Sequence, residues 1–164
     1  MATPTNLPAS FVSGAILTAA QQNDLRGAFR VLQVVSATTT TVTNNGTSGF
    51  VDTALTASIT PQSTTSKILC FTSNACAKTA ANAGSGVKLR IMRGATSIAG
   101  YGFGLYTNTA LIQVGSLELV ILDSPATTSA TTYKVQIANE FNGDLVQHSP
   151  NGSNSTIVLM EISA

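Results

Sequence analysis

The sequence predicts an all-β fold: an antiparallel β-sandwich of about eight strands, jelly-roll-like, preceded by an N-terminal arm and one short helix. Three observations carry this. From about Val31 onward, apolar residues recur with a period of two, the spacing that puts alternate side chains on opposite faces of a strand. Clusters of Gly, Asn, Ser and Pro interrupt the chain at short intervals, as connections between short antiparallel strands require. Helical periodicity is convincing only once, near the N-terminus.

The chain has 164 residues, a length that fits one domain with an appended segment. Residues 1–30 form the arm and helix, and residues 31–164 the sandwich. A domain of this size buries roughly 70% of its unfolded surface, so it needs neither metal nor disulfide to hold a core.

Residues 1–16 are largely polar and carry Pro4 and Pro8, with Phe11, Val12 and Ile16 among their larger apolar side chains. Such a segment does not fold alone. Over residues 18–30, Thr18 is placed to cap a helix, with Gln21 at the capping-box spacing. Leu25, Phe29 and Leu32 follow at i, i+4 and i+7, one stripe of a helix face. Three turns are too few for a self-sufficient helix, which must dock on the β-body or on another surface.

Beyond Val31 the alternation begins. The β-branched run Thr38–Thr41, flanked by Val34, Val35 and Val42, favours extended chain. Val51, Leu55, Ala57 and Ile59 alternate with Asp52, Thr56, Ser58 and Thr60; Val87, Leu89 and Ile91 with Lys88 and Arg90; Tyr133, Val135 and Ile137 with Lys134 and Gln136. Each reads as a strand with one buried and one wet face. Leu117–Leu122 and Ile157–Ile162 are apolar on both faces, apart from Glu118 and Glu161, and read as central or interface strands. Turn signals separate the strands at Asn44-Asn45-Gly46, Thr60-Pro61, Gly84-Ser85-Gly86, Arg93-Gly94, Ser124-Pro125, Asn142-Gly143-Asp144 and Asn151-Gly152.

Charge is scarce. Asp, Glu, Lys and Arg make up 9% of the chain, against about 25% in soluble domains. So few charges do little to hold copies apart in solution, which points to a body packed against neighbouring copies or a larger assembly. The net charge is +1, with no basic stripe of the kind nucleic-acid binding needs. No apolar run reaches the length of a membrane span, and no secretory signal is readable at the N-terminus. The Asn-x-Ser/Thr sequons at Asn45, Asn151 and Asn154 therefore read as turn chemistry. Cys70 and Cys76, if on one strand, stand about 20 Å apart, beyond the roughly 7 Å a disulfide spans. They read as buried free thiols, suited to assembly in a reducing cytoplasm.

No catalytic, cofactor or metal constellation emerges. His148, the single histidine, lies beside Ser149-Pro150-Asn151-Gly152 and reads as a solvated loop residue. Asp123, before Ser124-Pro125, reads as an acid accepting N–H bonds of a turn. Gly100-Tyr101-Gly102-Phe103-Gly104, followed by Tyr106, is the most unusual local feature. Its glycine spacing does not fit a phosphate loop. Tyr101, Phe103 and Tyr106 are candidates for subunit-interface or core contacts, or for a stacking platform that binds sugar. Lys88, Arg90 and Lys134 sit on outward strand faces, as a solubilising surface or as contacts to acidic neighbours.

The stretches Thr53–Pro61, Ser66–Leu69, Leu89–Thr96, Leu122–Gln136 and Ile157–Ile162 resemble a recurrent module of tailed-bacteriophage virion proteins, cyanophage-like ones among them. The resemblance spans roughly residues 31–164. It implies a non-enzymatic virion structural protein, typically a homotrimer of β-sandwich units, with no cofactor. Capsid decoration (cement) proteins, head fibres and tail-fibre tips share the module. The chain has no heptad or collagen-like repeat from which to build a stalk. The expectation is therefore a cement protein on the outer surface of the phage head, made in the host cytoplasm, with itself and the major capsid protein as partners. Phe11, Val12, Ile16, Leu17, Leu25 and Phe29 are the candidates for anchoring it to the capsid. The alternatives are a fibre tip that binds host surface polysaccharide through Tyr101, Phe103 and Tyr106, and a tail or baseplate connector. No nucleic acid or membrane partner is expected.

Overall fold

In the computed structural model the described residues are 14, 16, 18, 19, 31–79, 84–108, 111–140 and 145–163, without the side chains of 101–103. The predicted arm and helix lie outside them, isolated positions apart. Leu32, expected to complete the helix stripe, belongs instead to the first strand.

Ten strands are described: β1 (Val31–Thr39), β2 (Thr43–Asn45), β3 (Val51–Ile59), β4 (Lys67–Lys78), β5 (Ser85–Arg93), β6 (Thr96–Thr107), β7 (Gln113–Asp123), β8 (Thr131–Asn139), β9 (Val146–His148) and β10 (Ser155–Ile162). Eight are long. β2 and β9 are short continuations of β1 and β10. Every pairing is antiparallel, and the pairs nest: β5 with β6, β4 with β7, β3 with β8, β2 with β9, β1 with β10. The chain is thus one long hairpin with its tip at Gly94, rolled up on itself. Gly94 takes a φ of 56°, a left-handed conformation that a glycine adopts without a Cβ clash.

Rolling the hairpin yields two sheets. One has the order β1-β10-β4-β7, with β9 and β2 extending it; the other is β3-β8-β5-β6. This is the jelly-roll sandwich the sequence predicts. Strand β4 organises the first sheet. Along one edge it pairs with β7 from Ile68 to Lys78; along the other, β10 takes Lys67–Ser73 and β9 takes Cys76–Lys78. The break between β9 and β10 is a 3-10 turn at Pro150–Gly152, with Asn151 at φ 53°, a conformation asparagine tolerates.

The core lies between the sheets. Leu55, Ile59, Leu89, Ile91, Val135 and Ile137 face Ile68, Leu119, Ile157 and Leu159, all buried. Cys70 and Cys76 sit on β4, buried and unbridged. Burial pushes both thiols up to about 12, so neither is a nucleophile near neutral pH. Asn45 answers the turn reading of its sequon: it is buried, donates to the carbonyls of Gly49 (2.7 Å) and Ile137 (2.9 Å), and accepts from the Thr47 N–H.

Two sequence readings are corrected here. Asp123 accepts no turn N–H in the described contacts; it pairs with Arg93 at 2.8 Å and accepts the Tyr133 hydroxyl at 2.7 Å. His148 is not a solvated loop residue but is wholly buried on β9. Its neighbour Ser149, at a positive φ of 52°, ends the strand, yet the register with Cys76 holds the imidazole inside. Burial lowers its pKa to about 4.

That shift predicts a specific acid response. Unfolded, the imidazole protonates near 6.5; folded, it stays neutral to about 4. The unfolded state therefore binds more protons in this window, and stability present above pH 6.5 drains away as pH falls toward 4. The loss amounts to about 3 kcal/mol. Urea midpoints measured across this range are expected to fall with pH, and His148→Gln is expected to flatten the slope.

Candidate interaction surface

The outer faces of the two sheets differ in kind. On the β3-β8-β5 sheet the outward positions are polar and cross-linked. Lys134 bridges to Asp52 at 2.7 Å, Gln136 donates to Asp52 at 2.6 Å, and Arg90 donates to Gln136 at 2.7 Å. Hydrogen bonds from Lys134 and Gln136 hold the Asp52 carboxyl below its usual range. Arg90 also lies over the Phe50 ring, 4.1 Å from its centroid, and Lys88 pairs with Glu140 at 2.7 Å. The three basic residues predicted on outward faces are there, and their acidic and amide partners come from the same chain.

The outer face of the β1-β10-β4-β7 sheet is built otherwise. Strand register sets its side chains in cross-strand rows. Val34, Met160, Leu69 and Leu122 form one row, and Ser36, Val158, Phe71 and Val120 the next. Val34 is 56% exposed, Val120 58%, Leu122 51% and Phe71 38%. Val31, paired with Ile162, extends the patch at one end. At 4.8 Å between strands and 6.6 Å between alternate residues, the two rows cover about 19 Å by 13 Å. Contiguous apolar surface on a flat face marks a contact site. Lys67 and Glu118 are the outward charges on β4 and β7 within this face.

This surface arises because β7 and β10 are apolar on both sides. Leu117 and Leu119 of β7 point into the core, while Val120 and Leu122 point out. The two acids in these strands go opposite ways. Glu118 faces out, whereas Glu161 faces in and is fully buried.

Of the predicted anchoring residues, Ile16 is exposed; Phe11, Val12, Leu17, Leu25 and Phe29 lie outside the described residues. Tyr101 and Phe103 fall on β6, their side chains likewise outside. Tyr106, on the same strand, is exposed. One glycine of that motif has a packing reason the sequence hid. A Cβ on Gly104 would meet Leu117 Cδ1 of the opposite sheet at 2.5 Å, and one on Gly115 of β7 would meet Leu105 Cδ2 at 2.8 Å. Each glycine receives a leucine from the facing strand, which draws β6 and β7 together at one side of the sandwich.

The buried polar cluster around His148 has the parts of a nucleophilic series. Ser149 Oγ lies 3.2 Å from His148 Nδ1, and His148 Nε2 lies 3.2 Å from Asn74 Oδ1. A triad needs its hydroxyl free and open to substrate. Here all three residues are wholly buried, and Ser149 Oγ is engaged by Ser155 Oγ at 2.9 Å. The cluster fastens β4, β9 and β10 where the paired strands are interrupted. Among the described residues, no three His, Cys, Asp or Glu side chains gather to hold a metal ion.

No protein-family model and no curated protein matches this chain. Among solved structures it is similar to infectious bursal disease virus of the Gt strain, at 15% identity and a TM-score of 0.40 over 82% of this chain and 39% of that one. It is similar also to the Gx strain, at 17% identity and a TM-score of 0.38 over 82% and 38% of the two chains. A third is the VP2 subviral particle of that virus, at 15% identity and a TM-score of 0.39 over 80% and 38%. This chain therefore spans about two fifths of the length of the solved chains it matches.

Proposed function

We propose that the protein is a virion structural protein of a tailed phage, a decoration protein that forms homotrimers on the outer surface of the head and clamps neighbouring capsid subunits. The observation that carries this reading is the contrast between the two outer faces. One is closed by ion pairs within the chain, and the other is an open apolar sheet with two charges. The module resemblance and the scarcity of charge over the whole chain support the same reading. No reaction is involved. Each copy contributes by burying apolar surface at about 25 cal/mol per Å², and repetition around a shell multiplies a modest contact.

The test is copy number. Gel densitometry of purified virions is expected to show the protein in numbers comparable with the capsid subunits. A handful of copies per particle would overturn the decoration reading in favour of a fibre tip or connector.

A further inference from the structure

We propose that the apolar outer face of the β1-β10-β4-β7 sheet packs against the same face of a second copy, the two related by a two-fold axis that sets their strands antiparallel. The occupant is chosen by charge. Lys67 and Glu118 stand at opposite ends of the patch: Glu118 pairs in register with Ser73, six residues along β4 from Lys67, a distance of about 20 Å. Among the described residues, the ion pairs within the chain, Lys88–Glu140, Arg93–Asp123 and Lys134–Asp52, involve neither residue.

Two arrangements lay one copy of the face on another by a two-fold axis in its plane. With the axis along the strands, each charge stays at its own end: Lys67 faces Lys67 when the axis follows β4, Glu118 faces Glu118 when it follows β7, and neither comes near its opposite. With the axis across the strands, between Leu69 and Phe71, each end of β4 lies over the other end of its copy. Lys67 then comes over the β4 of the partner beside Glu118, one strand to the side. Packed sheets stand about 10 Å apart, a gap that a lysine and a glutamate span together. Symmetry makes the contact twice. The same operation puts Leu69 over Phe71, Leu122 over Val120 and Met160 over Val158, so the apolar rows cover one another.

The overlapping face is about 19 Å by 23 Å, roughly 440 Å² per copy, below the about 800 Å² of a standard interface. The pairing is accordingly weak in dilute solution and strong where copies are held side by side. It requires no capsid, and it occupies the same face that carries the decoration reading, so a copy paired in this way meets a capsid through its other surfaces. Trimers, where they form, are joined in pairs by it.

Sedimentation equilibrium of the full chain tests this. The wild type is expected to double in mass reversibly as concentration rises. Lys67→Glu and Glu118→Lys should each weaken the doubling about tenfold, and the double variant should restore it. Val120→Asp should abolish it with an unchanged far-UV spectrum and melting temperature. A wild type that never doubles overturns the proposal, as does a double variant as weak as the single ones. So does doubling that appears only after residues 1–30 are deleted, which would hand the face to that segment. The mass that doubles, one chain or three, reports on the trimer separately.

Discussion

Glu161→Ala is expected to cost about 2 to 4 kcal/mol, most of it from the two charge-assisted hydrogen bonds its carboxylate accepts. Glu161 lies on the inner side of β10 at the end of the sandwich, beneath the β3–β4 turn. Its Oε1 accepts the Gln62 N–H at 2.7 Å, and its Oε2 accepts Gln33 Nε2 at 2.6 Å. Gln33 donates onward to the Thr60 carbonyl at 2.7 Å. One carboxylate thus ties β1, β10 and the turn together. Burial pushes its pKa up, but the hydrogen bonds from Gln33 and the Gln62 N–H outweigh it, and the net shift is downward. The sign follows. Stability from this group is present above the carboxyl's ordinary 4.5 and is lost as pH falls below it through the folded value. Glu161→Gln keeps the shape and is expected to cost less than the alanine variant, while removing this lower acid step. The His148 step, which lies above it, should remain. Urea denaturation from pH 7 to pH 3 separates the two.

Tyr133→Ala is expected to cost about 3 to 5 kcal/mol through the cavity it leaves. Tyr133 is among the largest wholly buried side chains. From β8 its hydroxyl crosses to Asp123 at the end of β7, which the Arg93 guanidinium holds from β5. Burial first, then the bond to Asp123, pushes the phenol well above its usual range, so it remains a donor at every working pH. Tyr133→Phe leaves the packing and removes only that bond to a charged acceptor, at a cost of about 1.5 to 3 kcal/mol. The difference between the two variants measures the cavity alone. Thermal or urea unfolding that showed them equally destabilised would mean that the ring contributes nothing beyond its hydroxyl.

The sequence was legible where polarity alternates and ambiguous where it does not. Through the middle of β3, β5 and β8, at Leu55–Ile59, Val87–Ile91 and Tyr133–Ile137, the apolar positions are the core and the polar ones face out, as parity assigns them. At the strand ends it fails, with Val51 exposed and Thr53, Met92 and Asn139 buried. In β7 and β10 both faces are apolar, and parity identifies two faces without saying which one is inside. Their expected status as central or interface strands divides accordingly: β10 lies between β1 and β4, whereas β7 is at the edge of its sheet. The surface patch is a property of register, since Val34, Met160, Leu69 and Leu122 meet only once four distant segments have been paired. His148 was misread for a related reason. A strand of three residues is too short to show a period, and the turn chemistry of Ser149-Pro150-Asn151-Gly152 dominates the local signal. Gly104 carried no signal of its own in the sequence, because its role is space for Leu117, a residue of another sheet.

The nested order of the strands also dictates how the chain must be folded in time. Strands β5 and β6 can zip around Gly94 as soon as both exist, and each later pair closes only a short remaining gap once the pair inside it has formed. Strand β1 is the first of the ten to be synthesised and the last to be paired, because its partner β10 is the last to be made. Until Ser155–Ile162 emerges, β1 waits unpaired and β4 keeps an open edge, displaying Val34, Leu69 and Phe71 to other nascent chains. A fold with so many distant pairings is slow to complete, and its period of greatest exposure to aggregation is the interval before β10 is made.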